Sequence, residues 1–182
     1  MPIPKNAKKV FEGIIFDIYQ WEQEMFDRST ATFEMLKRPY STQVLPIVGD
    51  KILVVKEQQP NMSEQYGLVG GQHEKDETAL DAIQREMLEE VGYSSEQWEL
   101  WKTKNLYTRI DWTVSTFIAR DCKKTLEPRL DPGEKITPLL VSFDEFMEII
   151  LDPNFRSKDL TLDILTLHYT GKLDEFKKML FP

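Results

Sequence analysis

Three glutamates on one helical face, Glu86, Glu89 and Glu90, constrain this chain more than any other feature. They stand at i, i+3 and i+4 within Gly71–Tyr93, where Ala79, Ala82, Ile83, Met87 and Val91 recur at helical spacing and mark a buried stripe. The pattern predicts a helix from about Glu77 to Val91, stopped by Gly92. Like charges crowded on one face repel and cost stability when nothing offsets them. Alone, such a cluster reads as a solvated acidic face. The sharper reading is a divalent-cation site, because carboxylate oxygens are what Mg2+ or Mn2+ prefers.

The spacing around the cluster separates the two. Gly71, Glu77, the Arg85-Glu86 pair, the Glu89-Glu90 pair and Gly92 stand in a fixed pattern, with an apolar residue after Glu86 and another after Gly92. This resembles the signature box of the Nudix hydrolases, and every specified position is filled. The resemblance implies an α+β fold, an α/β/α sandwich of mixed sheet and flanking helices, and cleavage of a nucleoside diphosphate linked to another moiety. It implies a metal held by Glu86 and Glu90, joined by Glu89 and by the carbonyl of Gly70, the residue before the box glycine. Arg85 stands with Glu89 and Glu134 among the catalytic candidates, although the family uses it largely to brace the loop through Glu77. The general base stays open between Glu89 and Glu134.

The flanking segments carry what specificity can be read. Val10 to Trp21 reads as a strand with Val10, Ile14, Phe16 and Ile18 on one face, and Thr30 to Arg38 as its return after Asp27-Arg28-Ser29. A hairpin in this place, with its Phe33-Glu34 and Lys37-Arg38-Pro39 run, resembles the ADP-ribose and nucleoside-diphosphate-sugar pyrophosphatase branch. That likeness implies a homodimer built through residues 1–40, a Nudix domain over 41–182, and Arg38 near the substrate. Tyr107 stands where enzymes acting on dinucleoside polyphosphates have a tyrosine, and those substrates, or a nucleoside triphosphate, are the second reading. Tyr107 and Trp112 are candidates for stacking on a base. A non-catalytic nucleotide-sensing module is the third reading, and the intact carboxylate set speaks against it.

Gln43 to Val48 and Lys51 to Glu57 read as paired strands about Gly49-Asp50, and Trp98 to Lys104 and Thr113 to Arg120 as two more. Lys123 to Pro138, charged and proline-rich, reads as an irregular loop, and its run from Leu130 to Ile136 resembles the late loop of the pyrophosphatase branch, a likeness that implies Glu134 over the site. Ser142 to Glu145 forms a capping box for a helix through about Leu151. A second helix is expected from about Lys158 to Tyr169, and a short terminal turn over Leu173 to Leu180. His168 is placed as a packing residue, and His73 at a variable box position; neither is assigned to catalysis.

The chain has 182 residues, 41% of them hydrophobic, which suits one domain with a real core. Its net charge of −8 disfavours nucleic acid as a partner but not a phosphorylated small molecule met through a metal. Cys122 is the single cysteine, so an internal disulfide is excluded and a reducing cytoplasm is expected. No apolar run has the length of a membrane span, and MPIPKNAKK lacks the apolar core of a signal peptide.

Overall fold

A computed structural model describes residues 2–182. The strand Ser41–Val48 (β4) sits near the centre of a six-stranded mixed sheet, and almost all of its side chains are buried on both faces. Val44 points to one side and Leu45 to the other, as the period-two alternation of a strand requires. β4 pairs antiparallel with Lys51–Gln58 (β5) and parallel with Thr113–Arg120 (β10). Beyond them lie Lys135–Val141 (β12) on β5 and Gln97–Asn105 (β8) on β10, while the short Gln65–Gly67 (β6) also pairs with β5.

Helix Ala79–Val91 (α1) covers one face of this sheet. Its Ile83, Met87 and Val91 pack with Val44, Leu53, Val55, Val69 and Phe117. Helices Phe143–Ile149 (α2), Lys158–Tyr169 (α3) and Leu173–Leu180 (α4) cover the other face, joining Phe146, Ile150, Leu160, Ile164 and Phe176 to Leu45, Ile47, Ile52, Val54 and Ile118. The expected α/β/α sandwich is thus present. Its layers bury opposite faces of the same strands.

α1 begins at Ala79 rather than Glu77. The Thr78 hydroxyl accepts from the Asp81 backbone N–H, and Gly92 closes the helix with φ 74°. Glu77 is left in the loop, where it does different work. The Ser142 and Glu145 capping box opens α2 as expected. Leu173–Leu180 is a two-turn helix rather than a turn, because Phe176 and Leu180 enter the core. His168 is exposed on α3, edge-on to Tyr169, and takes no part in packing the core.

Two other readings are corrected. Val10 to Trp21 is not one strand but two: Lys8–Glu12 (β1) folds back on Asp17–Glu24 (β2), which then pairs with Thr30–Lys37 (β3). The reversal falls at Gly13, where a Cβ would lie 2.5 Å from the Phe16 carbonyl oxygen, so only glycine permits so close an approach. Ile14, placed on the strand face by its spacing, projects fully into solvent. This N-terminal meander continues through Ile110–Asp111 (β9), which pairs parallel with β3.

The span Lys123 to Pro138 is not irregular throughout. Lys123–Lys124 (β11) pairs with Tyr93–Ser94 (β7) just after α1, and Lys135 opens β12. Pro138 lies within β12, opposite Val55. β12 is the outer strand of the sheet, so the missing N–H of a proline can be tolerated there. No helix among the described residues is long and apolar enough to cross a membrane.

Candidate active site

The loop before α1 is stitched to β4. The Val44 N–H donates to Val69 O at 3.0 Å, and the Thr42 N–H to Gly71 O at 2.9 Å. A Cβ on Gly70 would collide with the Thr42 carbonyl, so glycine there lets two backbones meet. A Cβ on Gly71 would collide with the Glu86 carboxylate, which leans over the loop from α1. The Gly70 N–H donates to Glu90 Oε2 at 3.1 Å. Loop and helix are therefore in contact through Glu86 and Glu90.

Arg85 ties the same two pieces together. Its Nε lies 2.9 Å from Glu77 Oε1, and Nη2 donates to Glu77 Oε2 and to the Gln72 carbonyl. Nη1 reaches Glu86 Oε1 at 2.9 Å and Glu89 Oε2 at 3.1 Å. Glu77 also accepts from the Glu74 N–H. The Arg85 guanidinium holds the Glu77 carboxyl below its usual range, and the three glutamates push Arg85 still further up.

Glu86 and Glu90 show the opposite perturbation. Burial raises Glu90 well above the ordinary glutamate value, and the charge of Glu86 adds to the rise. Burial raises Glu86 too, partly offset by Arg85. Glu90 is only 8% exposed and forms no ion pair among the described residues. A buried carboxylate without a cation is costly. An oxygen-seeking divalent ion fits such a place, with Glu86, Glu90 and the Gly70 carbonyl, which accepts no hydrogen bond among the described residues, as available donors. Among the described residues no three acidic, His or Cys side chains already converge as a closed cage.

These groups line a cleft of about 700 Å³. Glu134 enters it from the loop before β12, its carboxyl raised by burial and by Asp131 and Glu57. Arg38 and Trp112 line the cleft as well, with the Arg38 guanidinium 4.4 Å from the Trp112 ring centroid and 5.6 Å from that of Phe16. The Arg38 Nε is buried without a hydrogen-bond partner. Tyr107 is not on the cleft wall; it stacks on Trp112 at 5.9 Å with a 9° interplanar angle. The Trp112 indole N–H is anchored on Ser41 Oγ at 3.0 Å. Neither His73 nor His168 lines the cleft, and Cys122 is buried elsewhere with its thiol pushed up to about 11 by burial.

Several cleft residues escaped the sequence reading. Glu57, Arg129, Arg156, Gln43 and Ser157 all face it. They come from β4, β5, the loop before β12 and the start of α3, and no local pattern joins them.

The three-layer sandwich thus sets a buried acidic helix edge, Glu86 and Glu90, over a glycine loop at the floor of an acidic cleft. Residues 37–161 match the NUDIX domain, and the chain belongs to that family as a Nudix hydrolase. It is 26% identical over 149 residues to the ADP-ribose pyrophosphatase of Bacillus subtilis (strain 168), covering 79% of this chain and 80% of that relative. A solved structure described as an ADP compounds hydrolase shares the fold with a TM-score of 0.72, at 20% identity over 92% of this chain and 95% of that one.

Proposed function

We propose that this Nudix hydrolase cleaves the pyrophosphate bond of ADP-ribose or a nucleoside-diphosphate sugar, releasing a nucleoside monophosphate and a phosphorylated sugar. The observation that carries the reading is the buried carboxyl of Glu90, without an ion-pair partner among the described residues, set beside Glu86 at the mouth of the Gly70-Gly71 loop. The named Bacillus subtilis relative supports the substrate class. Glu86, Glu89, Glu90 and the Gly70 carbonyl would hold Mg2+ or Mn2+, which would supply positive charge against the diphosphate and acidify the attacking water.

The chain's own groups do the rest by position and charge. Arg85 braces Glu77 and keeps the mutually repelling carboxylates in register. Glu134, whose carboxyl lines the cleft and is raised from the ordinary glutamate value by burial, takes the proton of the attacking water, with Glu89 as the other candidate for that step. Arg38 and Trp112 form the wall that receives the nucleoside end. The dinucleoside polyphosphate reading rests on Tyr107, which here supports Trp112 from outside the cleft, and so ranks second.

Residues 1–40 serve as a dimerisation segment beside the catalytic domain of 41–182. Phe11, Ile14, Phe16 and Phe26 expose apolar area there that a second copy would cover. A reducing cytoplasm suits a chain whose one cysteine is buried. The deciding experiment incubates the protein and Mg2+ with ADP-ribose, nucleotide sugars, dinucleoside polyphosphates and nucleoside triphosphates. Monophosphate release from the first two groups is expected. No release from any of them would end the enzyme reading.

A further inference from the structure

The cleft is crowded with carboxylates, yet its substrate class is anionic. Glu57, Glu86, Glu89, Glu90, Asp131 and Glu134 all line it. The same cleft is lined by Arg38, Arg85, Arg129 and Arg156, and these arginines are not equivalent. Arg85 is saturated by Glu77, Glu86, Glu89 and the Gln72 carbonyl, so it cannot turn to a ligand without releasing the helix face. Arg38 lies on the rings of Trp112 and Phe16. Arg129 stands on an exposed loop, tied by its backbone N–H to Glu89 O.

Arg156 is different in place and in support. Its guanidinium reaches Glu57 of β5 at 2.8 Å, and its side chain keeps 41% of its surface open to the cleft and solvent. The Arg156 N–H donates to Tyr66 O of β6 at 2.8 Å, and the Gly67 Cα stands under the guanidinium, where a Cβ would be 3.7 Å from Nε. It lines the same cleft as Glu86 and Glu90 of α1 and Glu134 of the loop before β12.

The residue after it explains how this position is kept. Ser157 occupies the N-cap of α3 but makes no cap hydrogen bond. Its hydroxyl instead donates 2.8 Å to Gln43 Oε1, and Gln43 Nε2 donates 3.0 Å to Thr116 Oγ1. All three residues are buried. A cap given up for a bond into the sheet locks the backbone beside Arg156 to β4 and β10.

We infer that Arg156 is a further substrate-binding residue, the cation that takes phosphate oxygens of the diphosphate from the β5–β6 side, held by Glu57 and by the Ser157–Gln43–Thr116 chain. The assignment rests on the pyrophosphatase reading of the cleft. A planar guanidinium presents paired N–H donors to a phosphate, which a lysine ammonium cannot match. The charge of Arg156 would add to that of a bound metal at the phosphates and counters the acidic wall around it.

The test compares wild type with Arg156→Ala and Arg156→Lys. Steady-state turnover of ADP-ribose gives kcat and KM, and calorimetry gives the Kd of inorganic pyrophosphate with Mg2+ present. For Arg156→Ala, KM and the pyrophosphate Kd should each rise about tenfold or more, the loss expected for a charge-assisted hydrogen bond. The Mg2+ concentration for half-maximal rate should not move, and Arg156→Lys should recover only part of the affinity. KM and Kd within about twofold of wild type would overturn the assignment, that spread being inside ordinary context dependence. The calorimetric arm needs no turnover, so a wild type inert on every diphosphate would count against the hydrolase reading alone, and the Kd comparison would still decide Arg156.

Discussion

Gly71 lies directly beneath the Glu86 carboxylate, so that the hydrogen of the glycine occupies the only space a side chain would need. Fifteen positions of loop and helix separate the two in the chain, yet they define one wall of the site. Replacing Gly71 by alanine should push the carboxylate aside while leaving the loop's bonds to Thr42 and Val44 intact. The metal concentration for half-maximal rate should rise about tenfold, a loss near 1.4 kcal/mol. A magnesium titration of the variant checks this, and an unchanged midpoint would mean Glu86 does not bind metal where it now stands.

Arg85→Ala should weaken the metal-free protein. It removes the partner of Glu77, Glu86, Glu89 and the Gln72 carbonyl together. The cost is about 1–3 kcal/mol, the usual range for stranded polar groups in a part-buried site. Arg85→Lys should fall between, since it keeps the charge without the fork. Urea unfolding with and without Mg2+ measures both, and added metal should restore part of the loss.

The raised carboxyls of Glu90 and Glu86 set a pH dependence of definite sign. A folded-state value above the unfolded one means that folding takes up protons, so stability rises as pH falls from neutrality through the raised values. The gain ends near the ordinary glutamate value of 4.5, below which the unfolded chain is protonated as well. Thermal melts in chelator should show this rise, and Glu90→Gln should flatten it. The same variant should lose turnover by orders of magnitude yet be no less stable at neutral pH. Retained wild-type turnover would remove Glu90 from the site.

Ser157→Ala should cost about 1–3 kcal/mol by leaving Gln43 Oε1 buried without its donor. Combining it with Gln43→Leu, which removes the stranded acceptor, should cost less than the sum of the two single changes. A double-mutant cycle in urea reads this coupling directly. Additive losses would show that the two side chains do not act as a unit.

The box illustrates what can be read from a sequence. The buried stripe of α1, the shared face of its glutamates, the Gly92 stop and the Glu77–Arg85 tie all depend on contacts within one short segment. Even there the start of the helix moved, because Thr78 caps better than Glu77 continues. The N-terminal strands were legible as strands, but not their reversal at Gly13, since a glycine in an apolar run gives no sign of which carbonyl will approach it. Pro138 pointed to a loop, and only its place on an outer strand made it compatible with β12.

The sequence by itself determined the family box, the carboxylate face and the apolar stripe opposite it, because local spacing sets which groups share a helix face; the sandwich followed from the family resemblance. Tertiary structure alone decided what surrounds them. Arg156 meets Glu57 across a separation of 99 residues, and Ser157 meets Gln43 across 114. Such partners are chosen by how strands and helices stack, and stacking energy is spread over the many apolar contacts of both core layers rather than written in any one motif. The reaction was therefore legible in one helix, whereas the cations and hydrogen bonds that shape the cleft appear only when distant segments pack.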